Sequence, residues 1–205
     1  MKKIAVFASG SGSDFQSVID ANEREHFCEI SLLVAAKEGI YAIERAKKHG
    51  IEYIVRNKKD YASLDEMYEN IAAELKARGV DYVVLAGYLS MISENFIRAY
   101  PDKIINIHPS LIPSFCGKGN YGLNVHRAAL EYGVKISGLT VHFVDEHYDS
   151  GAIILQRAVE VKDDDTPESL QARILEEEHK ALPEAVRLLT TGKIRKEGRK
   201  VTILN

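Results

Sequence analysis

The sequence predicts an α/β fold: a mostly parallel, twisted sheet with helices on both faces and an antiparallel hairpin toward the C-terminus. Three observations predict it. Short, largely apolar runs recur at residues 3–8, 29–35, 51–55, 81–86 and 103–108, as expected of strands buried on both faces. Segments with helical spacing separate these runs. Two longer runs, 136–144 and 152–161, follow one another once the alternation of strands and helices stops.

Each element has a local reason. A Gly/Ser loop follows the first strand, and an amphipathic helix then runs from about 14 to 22. Ser13 and Gln16 have the spacing of a capping box. A helix over 41–48 ends at Gly50, and a longer one over 64–78 carries Met67, Ile71 and Leu75 on one stripe and stops at Gly79. A short helix over 94–99 precedes the fifth strand. The runs 136–144 and 152–161 read as a wide antiparallel hairpin. Thr166 and Pro167 supply an N-cap and a first-turn proline to a helix reaching about 189. A polar, basic tail closes the chain. Strands alternating with helices make right-handed βαβ units and a Rossmann-like sheet. There is no internal repeat, low-complexity segment or long linker, so residues 1–205 are expected to form one domain.

Composition excludes several classes. The chain has 205 residues, 45% hydrophobic and 28% charged, enough to bury roughly 70% of its unfolded surface. A formal net charge of −3 gives no basic field for nucleic acid. Cys28 and Cys116 have no paired spacing, which fits a reducing cytoplasm and neither a disulfide scaffold nor a cysteine zinc site. No signal-peptide pattern or membrane span is visible. The expectation is a cytoplasmic protein, a monomer or weak homodimer, without metal, nucleic-acid or membrane partners.

Chemistry concentrates in three places. The first is Asn106-Ile107-His108-Pro109-Ser110-Leu111-Ile112-Pro113. Pro109 cannot extend a central ladder, so the strand stops at His108. Residues two apart on a strand share a face, which puts the Asn106 amide beside the His108 imidazole. At the carboxyl end of a strand in an open α/β sheet they would meet a ligand. Together they can stabilise an oxyanion and pass a proton; the alternative is a core histidine next to a turn.

The second is Ser9-Gly10-Ser11-Gly12-Ser13-Asp14-Phe15-Gln16. Glycines let backbone amides approach a ligand, and a helix N-terminus favours an anion. Phe15 stands where the dinucleotide fingerprint needs a third glycine, so a monophosphate is expected and not NAD. The plain alternative is a tight, capped turn. The Asp14 carboxylate would repel such a phosphate if it pointed inward: either it turns away and only its backbone N–H contributes, or the site is a weaker one.

The third is the hairpin tip, where Asp145, Glu146 and Asp149 lie near His142 and His147. The spacing does not suit a metal helix motif. One of the three acids can instead lie against His108 and favour its charged form. Spacing does not say which.

With these motifs in place, the chain resembles the formyltransferases that use 10-formyltetrahydrofolate, and within them the branch that acts on phosphoribosylglycinamide in purine synthesis. Asn106 to Pro113 carries the resemblance, with Leu85-Ala86-Gly87-Tyr88, Thr140-Val141-His142-Phe143-Val144 and Asp149-Ser150-Gly151-Ala152-Ile153-Ile154-Leu155-Gln156. It extends from the Gly/Ser loop to Glu178.

The resemblance implies a 10-formyltetrahydrofolate cosubstrate, no metal, and formyl transfer to the glycinamide amine. Asn106, His108 and Asp149 would be catalytic: Asn106 and His108 at the formyl oxygen, Asp149 keeping His108 charged. Gly12, Ser13 and Asp14 would hold the substrate phosphate, and Glu178 its ribosyl-glycinamide part. Leu89, Ser90, Met91 and Ile92, with Asn106, would contact the folate. Phosphate binding would then belong to a half of about 1–100, and folate binding and catalysis to a half of about 101–205.

The sequence departs from the family pattern at Asp14, where Asn is frequent, and at Leu64, where a basic residue is expected. It also has a longer loop at 115–122, in which Lys118 could meet an anion or simply face solvent. A formyltetrahydrofolate hydrolase would share the same Asn, His and Asp but is expected to carry an extra N-terminal domain. A methionyl-tRNA formyltransferase would need a C-terminal RNA-binding domain. A Cys116–His108 hydrolase and a non-catalytic nucleotide-binding module are further alternatives, and Cys116 reads as an ordinary thiol.

Overall fold

The computed structural model describes residues 1–117 and 119–204. A seven-stranded sheet runs in the order β3-β2-β1-β4-β5-β6-β7. Its strands are β1 (Lys3–Ala8), β2 (Glu29–Ala35), β3 (Tyr53–Val55), β4 (Tyr82–Leu85), β5 (Ile104–His108), β6 (Ile136–Phe143) and β7 (Ile153–Glu160). The pairs among β1 to β5 are parallel; β5–β6 and β6–β7 are antiparallel. This is the expected architecture, hairpin included.

Alternation along β1 shows why the central runs are apolar throughout. Ile4, Val6 and Ala8 belong to one core, Ala5 and Phe7 to the other. The first core packs against α1 (Ser13–Glu25), α2 (Tyr41–Lys48) and α6 (Pro167–Thr190); the second against α3 (Leu64–Ala77) and α4 (Glu94–Ala99). With both faces covered, neither side of a central strand can be polar. The Met67, Ile71 and Leu75 stripe of α3 lies in the second core as its spacing predicts, each such side chain contributing about 1.5–3 kcal/mol by burial.

Four readings of the sequence are corrected. Ser13 does not cap α1: Gly12 is the N-cap, in the left-handed region at φ 68°, and no side chain bonds the helix start. Gln16 is directed to Asp20 and His49 instead. The helix also runs on to Glu25, past the expected end near 22. A further helix, α5 (Leu123–Tyr132), occupies a stretch to which the sequence reading assigned no element, with Val125, His126 and Ala129 inward. Finally, the basic tail folds into a hairpin of β8 (Ile194–Glu197) and β9 (Lys200–Ile203). Its two-residue turn has Gly198 at φ 58°, as tight hairpins require. The α6 start agrees with expectation: Thr166 and Ser169 cap it reciprocally.

Gly138 shows how little slack β6 has. Its φ is +155°, and an added Cβ would lie 2.0 Å from the Arg157 carbonyl oxygen and 2.9 Å from Leu111 Cδ2. Backbone on the neighbouring strand cannot yield as a side chain tip can. Gly138→Ala is therefore expected to destabilise the protein by about 1–3 kcal/mol, read as a lower urea midpoint with an unchanged m-value.

Candidate active site

Strand order reverses between β1 and β4, since β2 and β3 extend one way and β4 and β5 the other. Open α/β sheets bind ligands in the crevice at such a point. A cleft of about 1310 Å³ lies there, lined by the Gly/Ser loop after β1, the segment after β4, the end of β5 and the 145–149 loop. Single-ligand pockets are usually about 300–1,000 Å³, so this one has room for two substrates.

Asn106 and His108 line one wall together, as their spacing predicts. The antiparallel register sets His142 opposite Asn106 and Thr140 opposite His108. His142 is buried; its Nδ1 lies 2.8 Å from its neighbour's carbonyl, Phe143 O, and its Nε2 lies 3.2 Å from Asn106 Nδ2. An Nδ1–H tautomer satisfies both bonds, with the amide donating to Nε2. Burial pushes the His142 pKa down, which keeps that ring neutral and able to accept. His142 thus orients the Asn106 amide. The sequence offered His142 only as a rejected metal ligand near the hairpin tip; the signal for its present place is its position in the alternation of β6.

The His108 ring is held from both sides. Nε2 is 3.1 Å from the Phe115 carbonyl, to which it can donate, while Nδ1 is 3.8 Å from Asp149 Oδ2. The structure therefore places Asp149, out of the three candidate acids, beside His108. Glu146 extends to Arg98, and Asp145 accepts from the His147 amide and the Ser150 hydroxyl. Asp149 has φ 48°, and its carboxylate also accepts from the Gly117 amide at 2.8 Å. Gly151 makes this turn possible, because a Cβ there would lie 1.7 Å from the Phe143 carbonyl oxygen.

Below the histidine, the turn at 109–114 is pinned from β6. Thr140 Oγ1 donates to the Ser110 carbonyl and accepts from the Ile112 amide, and Gln156 Nε2 reaches both Thr140 Oγ1 and the Ile112 carbonyl. A buried hydroxyl with all its bonds made holds a loop rigidly.

At the other end of the cleft, Gly12 is confined to glycine by conformation and contact, since a Cβ would sit 2.7 Å from Ala42 Cβ. Arg45 of α2 donates from Nε to the Ser11 carbonyl at 2.9 Å and from Nη1 to Gln16. Among the described residues it forms no ion pair, so its charge remains available to an anion at the loop. The sequence reading missed Arg45, which lies some thirty positions beyond the loop and carries no motif. The Asp14 carboxyl is buried toward α6, with Oδ1 3.8 Å from His179 Nε2. Glu178 is buried at the same end of the cleft.

Leu89, Ser90, Met91 and Ile92 line the cleft after β4, with Leu89 and Met91 65% and 55% exposed. Neighbouring exposed apolar side chains in a concave wall suit an apolar ring system. Leu64 lines the same region without a charge, and Lys118 lies outside the described residues. Cys116 is no nucleophile for His108: burial, and then the Asp149 charge, raise its thiol pKa, and its Sγ contacts the Pro113 carbonyl. Among the described residues, no group of three or more His, Cys, Asp or Glu is placed to hold a metal. No described helix is long and apolar enough to cross a membrane.

Fold, switch-point cleft and paired amide and imidazole together define an α/β protein built for acyl-group chemistry. The family described as formyl transferase matches residues 2–186, and the chain belongs to it. It is 42% identical over 196 residues to the Arabidopsis thaliana chloroplastic phosphoribosylglycinamide formyltransferase, covering 95% of this chain and 67% of that one. It is 40% identical to the Bacillus subtilis phosphoribosylglycinamide formyltransferase, covering 92% of this chain and 95% of that one. By contrast it spans only 19% of the chicken trifunctional purine biosynthetic protein adenosine-3, at 40% identity. The crystal structure of glycinamide ribonucleotide transformylase 1 from Symbiobacterium toebii superposes with a TM-score of 0.93 at 42% identity, covering 100% of this chain and 95% of that one.

His126 gives the site a measurable pH signature. It is 1% exposed, its Nδ1 has no partner, and burial, then the His108 charge, push its pKa down to about 4. Folding favours the neutral ring, so the unfolded chain binds the extra proton between about pH 4 and 6.5. Stability owed to this residue is constant above that window and falls as pH drops through it, by about 3 kcal/mol. Urea unfolding at pH 7 and pH 4 is expected to show wild type losing that much more than His126→Gln.

Proposed function

We propose that this chain transfers the formyl group of 10-formyltetrahydrofolate to the amine of 5′-phosphoribosylglycinamide, giving the formylglycinamide ribonucleotide and tetrahydrofolate in de novo purine synthesis. The observation that carries the reading is the Asn106 and His108 pair at the end of β5, with the Asp149 carboxylate folded against the imidazole. The named relatives and the two-ligand cleft support it.

The neutral glycinamide amine needs no protein nucleophile. It adds to the formyl carbon, a C–N bond forms, and the carbonyl π pair moves onto oxygen. Asn106 and the His108 imidazolium meet that oxyanion; one such donor lowers the barrier by about 3–4 kcal/mol. The intermediate then loses one proton from the attacking nitrogen and gains one at the folate nitrogen, and the bond to the folate breaks. His108 is the proton donor. Phe115 already takes its Nε2, so the proton in play is on Nδ1, the side that Asp149 faces. Asp149 stabilises the charged ring, and His142 keeps the amide aimed.

In this reading the phosphate takes the backbone amides of Gly12, Ser13 and Asp14, with Arg45 adding charge, and Glu178 faces the ribosyl-glycinamide part. Leu89, Ser90, Met91 and Ile92, with Asn106, contact the folate. The loop bearing these folate contacts lies N-terminal to β5, so the folate surface draws on both halves of a single domain.

Incubation with 10-formyltetrahydrofolate, with and without the ribonucleotide, tests the reading through tetrahydrofolate release. Release is expected only when the ribonucleotide is present; equal release without it makes water the acceptor and replaces this function by hydrolysis. His108→Ala is expected to lower kcat at least about 10²-fold, and Asp149→Asn to lower it less. A His108→Ala enzyme with wild-type kcat would remove the imidazole from the mechanism.

A further inference from the structure

Two loops meet at the switch point, and one residue joins them. The Gly/Ser loop leaves β1 after Ala8, and the segment 86–93 leaves β4 after Leu85. The two strands are parallel neighbours, paired as far as Phe7 and Leu85. Beyond that pair the Ser9 amide donates to the Gly87 carbonyl at 3.2 Å. Gly87, at φ 66°, then turns the chain out of the ladder, which a residue without Cβ does at no steric cost. The Leu89 amide there meets the Ser9 hydroxyl and donates to its Oγ at 3.0 Å. Among the described hydrogen bonds, these two alone join residues 9–16 to 86–93.

On either side of Ser9 the contacts lead elsewhere. The Gly10 carbonyl accepts from the Ala42 amide and the Ser11 carbonyl from Arg45, both on α2. Tyr88 is buried in the second core, edge-on to Phe7 at 5.3 Å and bonded through its hydroxyl to Tyr68. From Ser90 to Ile92 the backbone makes no described bond to other backbone, and Leu89 and Met91 stand out along the cleft. One buried ring and one hydroxyl thus fix the wall that takes the folate, and the hydroxyl belongs to the loop that takes the phosphate.

Solvent decides how strongly that hydroxyl holds. The Ser9–Leu89 bond is exposed on the cleft wall, where water competes for the amide and for the oxygen, so its net contribution is small. A ligand on either side removes part of that competition. The first ligand therefore also strengthens the bond that fixes the other wall, and the second ligand finds that wall already set.

We propose that Ser9 is a positioning residue whose hydroxyl makes binding at the phosphate loop and binding at the folate segment favour each other. The assignment rests on the function proposed above, which puts the ribosyl phosphate on one loop and the folate on the other.

Calorimetry of 5′-phosphoribosylglycinamide binding, with and without saturating tetrahydrofolate, measures the coupling in a pair that cannot react. Wild type is expected to bind the ribonucleotide about three- to tenfold more tightly when tetrahydrofolate is present, the range that one net hydrogen bond supplies. The reverse titration must give the same factor. Ser9→Ala, which keeps the backbone bond to Gly87, should lower the factor below about twofold while each ligand alone binds as it does to wild type. Ser9→Thr, which keeps the hydroxyl, should retain the wild-type factor. Independently of any variant, the Leu89 amide of wild type should exchange more slowly with solvent once the ribonucleotide alone is bound. An uncoupled wild type, an unchanged factor in Ser9→Ala or an unchanged Leu89 exchange overturns the proposal and leaves the formyl transfer standing. Weaker binding of a single ligand by Ser9→Ala makes Ser9 a direct contact and overturns it likewise. A wild type that fails to bind the ribonucleotide or the folate overturns the proposed function as well.

Discussion

The antiparallel pairing of β6 with β5 sets His142 opposite Asn106 and Thr140 opposite His108, and the rest of the site depends on that register. A slip of one residue would turn both side chains to the other face of the sheet. Thr140 would then lose the turn after His108, and Asn106 would lose the ring that orients its amide. Gly138 and Gly151 permit the close approaches that keep the register, one against Arg157 and the other against Phe143.

Burial and charge are balanced differently at the two ends of the cleft. Near β5 the imidazole has a carboxylate within 4 Å on one side and a carbonyl acceptor on the other, so the ring is held at fixed geometry. Near α1, among the described residues, the carboxyls of Asp14 and Glu178 pair with no lysine or arginine, while the Arg45 guanidinium is turned to the loop carbonyl. The first arrangement suits a charge that develops during reaction. In the second, each buried carboxyl disfavours the charge of the other, and burial raises both pKa values. Pro183, one turn beyond His179, cannot donate to that residue's carbonyl, yet α6 continues through it to Thr190.

Local patterning read well where the fold makes one demand at a time. The central strands were legible because burial on both faces leaves only apolar residues. Asn106 and His108 were legible because a strand alternates strictly and Pro109 ends it. The α1 start misled because Ser13 and Gln16 have capping-box spacing, yet the tight approach to Ala42 puts Gly12 at the N-cap in a left-handed conformation. The α5 helix and the β8–β9 hairpin escaped for a different reason: one follows a glycine-rich loop, and the other has an exposed, polar face with little contrast. The Gly198 turn was the available signal.

By itself the sequence determined the strand–helix alternation, the antiparallel hairpin, the glycine–serine loop after β1 and the amide–imidazole pair, since each follows from nearest-neighbour chemistry or from a period of two or 3.6 residues. Tertiary structure alone decided which acid meets His108, what aims Asn106, why Arg45 serves the loop, and that Asp14 faces Glu178. Those partners lie between about 30 and 160 positions apart in the chain, and no local period carries their relation. Side chains that distant come together only when the strands take their register and α6 packs across α1.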